Sequence, residues 1–333
     1  MFFLLLGFGL LYLAFKNIQL EDVWKEIQSA QYSWILGSMF VALVSHFFRA
    51  LRWNQLINQL GYKTKSSTTF YAVMIGYLAN LALPRMGEVS RCLVLTRKDN
   101  IPFNALFGTV IAERVFDLII LILMIFMIIL FQLDEIGGFL NELIIRPLLG
   151  SYTDNLSAIF IILGISLLAL LILYLLFRWL KPWLKTTMLY NKINDFINGI
   201  WDGMKTIAKL EHKMTFLFHT FMIWTLYLLM IIMPFYSFEE TSHLNIIDGM
   251  TVLAIGSLGI VAPVPGGIGA YHFIITELFT QLFHIPAYAS AAYATANHAA
   301  QTFIILLAGG ISYILLILNK RKALNEPPAA NSK

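Results

Sequence analysis

Gly249–Phe283 reads GMTVLAIGSLGIVAPVPGGIGAYHFIITELFTQLF. It is apolar and long enough to span a bilayer, but Pro263-Val264-Pro265-Gly266-Gly267-Ile268-Gly269 interrupts its middle. Proline removes a backbone donor and glycine loosens the chain, so no straight helix is expected through this point. Irregular backbone at membrane depth survives only where protein or water satisfies its polar groups. The stretch therefore reads as a helical hairpin that enters the membrane and returns to the side it came from. A second stretch, Thr68–Leu83, approaches through Gly76-Tyr77-Leu78-Ala79-Asn80 and meets the break Pro84-Arg85-Met86-Gly87. It reads as a re-entrant segment too.

The rest of the chain supports a membrane setting. Of 333 residues, 59% are apolar and 13% charged, with a mean hydropathy of +0.74; a soluble domain carries about 25% charged residues. Cys92 is the only cysteine, which excludes a disulfide scaffold. Six further apolar runs read as spanning helices: Met1–Phe15, Trp34–Phe48, Phe103–Phe131, Leu156–Phe177, Met214–Phe238 and Ala292–Leu318. Met1–Phe15 lacks the basic start and small-residue exit of a cleaved signal peptide, so it is counted as a span. With the N-terminus in the cytoplasm, 19 Lys/Arg fall on the cytoplasmic side and 3 outside, the bias the positive-inside rule describes. A crossing at Thr68–Leu83 would move Arg85, Arg91, Arg97 and Lys98 outside, which is why it is read as re-entrant. The expected location is the cytoplasmic (inner) membrane, with both termini cytoplasmic.

The fold class expected is thus an all-α polytopic membrane protein with about six spanning helices and two re-entrant segments. Residues 1–131 and 132–318 each hold two spans, a membrane-dipping segment and one more span, followed by a tail, 319–333. Three crossings per half invert the second half relative to the first. Paired interrupted segments in corresponding positions point to a transporter's central site. The alternative is two unrelated helix breaks.

A family resemblance rests on Arg49-Ala50-Leu51-Arg52-Trp53, Gly61, Gly76 through Arg91, Ala112-Glu113-Arg114-Val115-Phe116-Asp117 and Pro263 through Ala270, in that order along nearly the whole chain. Together they resemble the transmembrane, flippase-like domain of the lysylphosphatidylglycerol synthase family. The resemblance implies lipid movement between leaflets. It also implies a stand-alone member, because only 15 residues follow the last apolar run, leaving no aminoacyl-transferase domain.

Glu113, Arg114 and Asp117 lie inside an apolar run, where each ionisable group costs at least about 2.5–3.5 kcal/mol and calls for a partner or a cavity. Their spacing places them on one helix face. Two acids against one arginine leave a carboxylate over, and Arg85 or Arg91 is the expected second cation. Either the three bolt this span to its neighbours, or they form a headgroup site. Arg49, Arg52, Arg85 and Arg91 are expected at the cytoplasmic rim, with Glu88 and Asn80 beside them. Guanidinium suits phosphate, although ordinary positive-inside anchoring explains Arg49 and Arg52 equally well. Pro84 and Gly87 in the first break, and Pro263, Pro265, Gly266, Gly267 and Gly269 in the second, open the backbone to anions or to close helix approach. Glu277, Asn297 and His298 are secondary candidates, with hydrogen-bonded structure as the plainer explanation for the histidine.

Neither a zinc-type His/Cys cluster nor a nucleophile elbow is present, so no metal, cofactor or catalytic residue is expected. The basic charge is membrane-side charge, which argues against nucleic acid. The function expected is that of a lipid translocator, not an enzyme, moving a phospholipid or polyprenyl-type lipid through a charged central cavity. The alternative is a non-transporting lipid-binding scaffold for a separate lipid-modifying enzyme. The expected partners are lipids with an anionic or phosphate-bearing headgroup, with a homo-oligomer or a lipid-synthesising enzyme as protein partners.

Overall fold

The computed structural model describes residues 2–131, 178, 210–259 and 264–325. All regular structure among them is helical: α1 (Phe2–Phe15), α2 (Leu20–Ser29), α3 (Tyr32–Gln59), α4 (Ser66–Ala82), α5 (Met86–Asp99), α6 (Phe103–Phe131), α7 (Lys213–Phe235), α8 (Ile246–Gly259), α9 (Ala270–Gln281) and α10 (Ala287–Asn325), with 3₁₀ turns at Glu239–Thr241 and Pro265–Gly267. The expected span Leu156–Phe177, like Pro263, lies outside the described residues.

Among the described residues, three helices are long and apolar enough to cross a membrane: α3, α7 and Ala287–Leu318 within α10. The described residues are those of an all-α membrane protein. Helix α3 corrects the expected span Trp34–Phe48, because it runs on to Gln59 and carries Arg49 and Arg52 in its interior. Those charges do not end the helix because carboxylates from α6 meet them. Helix α7 ends at Phe235, with Pro234 in its last turn, three residues before the expected end at Phe238. The short helix α2 has Glu21 and Asp22 in its first turn, where carboxylates suit the helix dipole. It buries Val23 while Leu20 and Trp24 stay exposed.

Helices α3 and α7 pack along each other at the centre, with α4 and α10 against α3. One apolar core joins Trp53 and Ile57 of α3 to Ala72, Cys92, Leu95 and Leu106. The other joins Phe235, Phe279 and Tyr293 to Ala289, Ala292 and Ala294. Alanines there let α10 come close to α9.

The same series of backbone events occurs twice. In the first, α4 ends at Leu83 (φ −137°, ψ 125°), Pro84 follows, and Arg85 turns left-handed (φ 61°, ψ 8°) before α5. In the second, Val264 is extended (φ −112°, ψ 140°), Pro265 follows, and Gly266 turns left-handed (φ 60°, ψ 7°) before α9. Further on, Asn100 (φ 55°) and His284 (φ 54°) are again left-handed. Each is followed by Ile-Pro and then a long helix, at Ile101-Pro102 before α6 and at Ile285-Pro286 before α10. Ile101 and Ile285 are both buried. By these dihedrals Pro84 matches Pro265.

In each half the two short helices around the break pack against each other, α4 on α5 and α8 on α9. Helices α4 and α5 touch backbone to backbone: a Cβ on Gly76 would lie 2.8 Å from the Gly87 carbonyl oxygen, and one on Gly87 would run into the Gly76 carbonyl. The two breaks also meet, since a Cβ on Gly266 would lie 3.1 Å from the Leu81 side chain at the end of α4.

Candidate functional site

Four helices each present polar residues on one face to a common buried point. Arg49 and Arg52 are three apart on α3, Glu88 and Arg91 three apart on α5, Glu113 and Asp117 four apart on α6, and Thr220 and Tyr227 seven apart on α7. Such spacings align side chains along a helix.

Glu113 is fully buried and holds three guanidiniums: Arg49 Nε at 3.1 Å, Arg52 Nη2 at 3.0 Å and Arg91 Nη2 at 2.8 Å. Asp117 faces Arg52 Nη1 at 2.7 Å and Arg49 Nη2 at 3.4 Å. Arg49 also donates to the Tyr227 hydroxyl at 2.9 Å, and Arg52 to Thr220 Oγ1 at 3.3 Å. Arg91 stacks over the Trp53 ring at 4.5 Å, while the Trp53 indole N–H donates to Thr109 Oγ1 at 2.9 Å. These contacts satisfy most of the fork geometry of each arginine, which lets a group of ions persist away from water.

The charge count is unequal. Among the described residues, Arg49, Arg52 and Arg91 face Glu113 and Asp117, so three cations meet two anions there and one positive charge remains. Arg114 does not change this count, because it leaves its two helix neighbours and pairs with Glu88 on α5 at 2.8 Å. A small cavity of about 10 Å³, room for about one water molecule, opens beside the surplus; Arg49, Tyr77, Asn80, Glu88, Arg91 and Arg114 are among its lining residues.

Several expectations need correcting. Arg49 and Arg52 are buried between helices, at 5% and 0% exposed, not on a surface. Two acids do not share one arginine: the carboxylates of Glu113 and Asp117 take Arg49, Arg52 and Arg91. Arg85 is an exposed residue that starts α5 in a left-handed turn. Asn80 acts on the backbone, its Oδ1 accepting the Gly87 N–H at 2.6 Å and so capping α5 from the neighbouring helix.

The secondary candidates lie in the other half. His298 Nε2 is 2.9 Å from the Gly266 carbonyl, Asn297 donates to the Tyr271 hydroxyl at 2.7 Å, and the His272 and His298 rings sit 4.8 Å apart. Gly267 faces the same imidazole. A Cβ on Gly269 would collide with the Gly7 carbonyl, so its glycine serves close packing of α1 on α9. Glu277 is half-buried on α9, five residues past His272 and so about 140° round the helix from it.

Sequence reading missed Trp53, Tyr77, Thr220, Tyr227 and His272. The signal for Thr220 and Tyr227 was a polar pair one heptad apart inside an apolar run.

The family model described as the lysylphosphatidylglycerol synthase TM region matches residues 2–309. The chain belongs to that family. It is 22% identical over 339 aligned positions to UPF0104 membrane protein MJ1595 of Methanocaldococcus jannaschii, covering 96% of this chain and 94% of that protein. It is also 31% identical over 86 residues to glycosyltransferase AglD of Haloferax volcanii, a match to 26% of this chain and only 14% of that protein. No solved structure matches the chain.

Proposed function

We propose that this family member is a lipid translocator of the cytoplasmic membrane, built as two inverted repeats, that moves an anionic or phosphate-bearing lipid between leaflets without altering it covalently. The observation that carries the reading is the buried surplus, among the described residues, of one guanidinium over the carboxylates, beside a cavity lined by Arg49, Arg91 and Arg114. An uncompensated charge at membrane depth is costly unless a counter-ion comes to it, and guanidinium forks fit phosphate oxygens. The recurrence of the Pro–left-handed turn and the left-handed–Ile–Pro turn supports the repeat reading, and broken segments meeting at a repeat interface are where transporter sites form. With room for a single water, the cavity admits a headgroup only if the α4–α5 hairpin shifts, so the structure would be a closed state. Both termini are placed in the cytoplasm, and α4–α5 and α8–α9 are the re-entrant hairpins.

The test is a leaflet-resolved assay in proteoliposomes of purified protein. Movement of an anionic phospholipid, unmodified by mass, that falls at least tenfold in Arg91→Gln is the expected result. Equal movement in empty and loaded vesicles would remove the proposal. The name of the haloarchaeal relative favours a second reading, a lipid-binding platform for a lipid-modifying enzyme. It would show lipid binding with no movement.

A further inference from the structure

We propose that the second half holds a separate headgroup subsite, formed by His272, Asn297, His298 and Gln301, that takes uncharged hydroxyl groups. The proposal rests on the translocator reading and adds the chemistry of the headgroup's other end.

Position is the first argument. The starts of α5 and α9, the left-handed residues Asn100 and His284, and the starts of α6 and α10 all differ by 184 in residue number. The same shift places His272 at Glu88, Asn297 at Glu113, His298 at Arg114 and Gln301 at Asp117. The contacts recur with the positions. Glu88 pairs with Arg114 in the first half, and the His272 ring meets the His298 ring in the second. One arrangement of α-helices thus carries ions in one half and neutral polar groups in the other.

Unmet hydrogen bonding is the second argument. His272 Nδ1, Asn297 Oδ1 and Gln301 Nε2 are buried without a hydrogen-bond partner among the described residues, as is Thr276 Oγ1 nearby on α9. His272 is 7%, Thr276 4% and Asn297 3% exposed. Buried polar atoms are nearly always partnered, so several left over at one pair of helices point to a ligand.

Donor and acceptor chemistry then selects the ligand class. The Asn297 amide nitrogen already donates to Tyr271, so its Oδ1 is left as an acceptor, while Gln301 Nε2 is a donor. His298 meets a carbonyl through Nε2, which makes that nitrogen the N–H and leaves Nδ1 as an acceptor. Phosphate oxygens only accept and would leave Asn297 Oδ1 unsatisfied. A hydroxyl donates and accepts, and it carries no charge into a site that has none to offset it. Glycerol or sugar hydroxyls meet this description. The two subsites communicate through the breaks, because Gly266 accepts from His298 and packs on Leu81, the neighbour of the cavity-lining Asn80.

The test compares two phosphodiester lipids of equal charge, phosphatidylglycerol and phosphatidylmethanol, with phosphatidylinositol as a second hydroxylated probe. Binding to the purified full chain is measured by native mass spectrometry. The parent protein should favour the hydroxylated lipids roughly tenfold, one well-made hydrogen bond's worth. Asn297→Leu should remove the preference and leave phosphatidylmethanol binding unchanged. Gln301→Met, milder in shape at a half-buried position, should reduce the preference in the same direction and serves if Asn297→Leu fails to fold. Equal parent affinity for all three lipids would overturn the subsite and leave the anion site standing. A preference that survives the folded variants would overturn its assignment to these residues. Binding of none of the three would overturn the translocator reading, and this inference with it.

Discussion

Glu113→Gln and Arg91→Gln both remove one charge from the same buried group, yet the charge count gives them opposite consequences. Glu113 is fully buried and is the shared partner of three arginines. Replacing it with glutamine keeps the size and leaves Arg49, Arg52 and Arg91 against Asp117 alone, raising the surplus from one to two. Stranding buried charge in this way costs about 3–5 kcal/mol. Arg91→Gln loses the 4.5 Å stacking on Trp53 and a charged hydrogen bond to Glu113, but it brings the group to two cations and two anions. Glu113 keeps Arg49 and Arg52 as partners, so the expected loss is only about 1–2 kcal/mol.

Unfolding of the purified protein in detergent, followed by tryptophan fluorescence, measures both. Glu113→Gln should be the less stable variant by at least about 1.5 kcal/mol. The two changes should also fail to add, with a coupling energy above about 0.5 kcal/mol in the double variant. Arg91→Gln, though the better folded, should lose anionic-lipid binding. If Arg91→Gln unfolds more readily than Glu113→Gln, or folds and binds anionic lipid like the parent, the surplus-charge argument is wrong.

Three further outcomes are expected. Gly87→Ala should destabilise the α4–α5 hairpin by about 1–3 kcal/mol, as overpacking does, because the new Cβ would meet the Gly76 carbonyl; thermal unfolding in detergent reads this, and a parent-like midpoint would refute the close approach. Burial first, then the neighbouring Glu240 and Glu239, raises the Glu26 carboxyl above its ordinary pKa; α2 lies outside the spans, so a raised folded value means stability is gained as pH falls through it and lost above. Glu26→Gln should therefore raise the unfolding midpoint at pH 7.5 and leave it little changed near pH 4. In a Cys92→Ser background, Ser242→Cys should react with an impermeant thiol reagent from outside and Asn100→Cys only from the cytoplasm; the reverse pattern would invert the topology.

Much of the architecture was legible because its signals are local. Proline and glycine state where a helix must stop, so the breaks at Pro84 and Pro265 could be placed from sequence. Apolar length gave α7 to within three residues, but it started α10 five residues late and ended it seven early. The end of α3 was not legible, because a run of hydropathy stops at Phe48 while the helix goes on for as long as Arg49 and Arg52 have partners, and those partners are about 60 residues away. The site residues were named, and Arg91 was one of two cations expected for the carboxylates, but the partners of Arg49, Arg52 and Arg114 were not. Sequence spacing puts Arg114 beside Glu113 and Asp117, yet neighbours on one helix point along it, and Arg114 reaches across to Glu88. Partner choice between helices depends on rotation about each axis, which composition does not encode. Both Pro263 and Pro265 satisfy the sequence pattern of the first break, and the left-handed turn at Gly266 follows Pro265.

The difference between the halves bears on how a lipid could leave. At an effective dielectric constant of about 20, a unit charge about 4 Å from a phosphate contributes on the order of 4 kcal/mol. Had the second half repeated Glu88, Arg91, Glu113, Arg114 and Asp117, an anion would meet equal wells at both ends of its path and be held twice. Instead His272, Ile275, Asn297, His298 and Gln301 occupy those places, and none of the five is a permanent cation. A headgroup would then be anchored by charge at one position only, with weaker neutral hydrogen bonds at the other. Strong binding without release lowers turnover, because a ligand held more tightly in the ground state gains nothing in the step that moves it. On this argument Gln301→Arg, which restores a fixed charge to the second half, should tighten anionic-lipid binding and slow its movement. Tighter binding with faster movement would show that the neutrality of the second half has nothing to do with release.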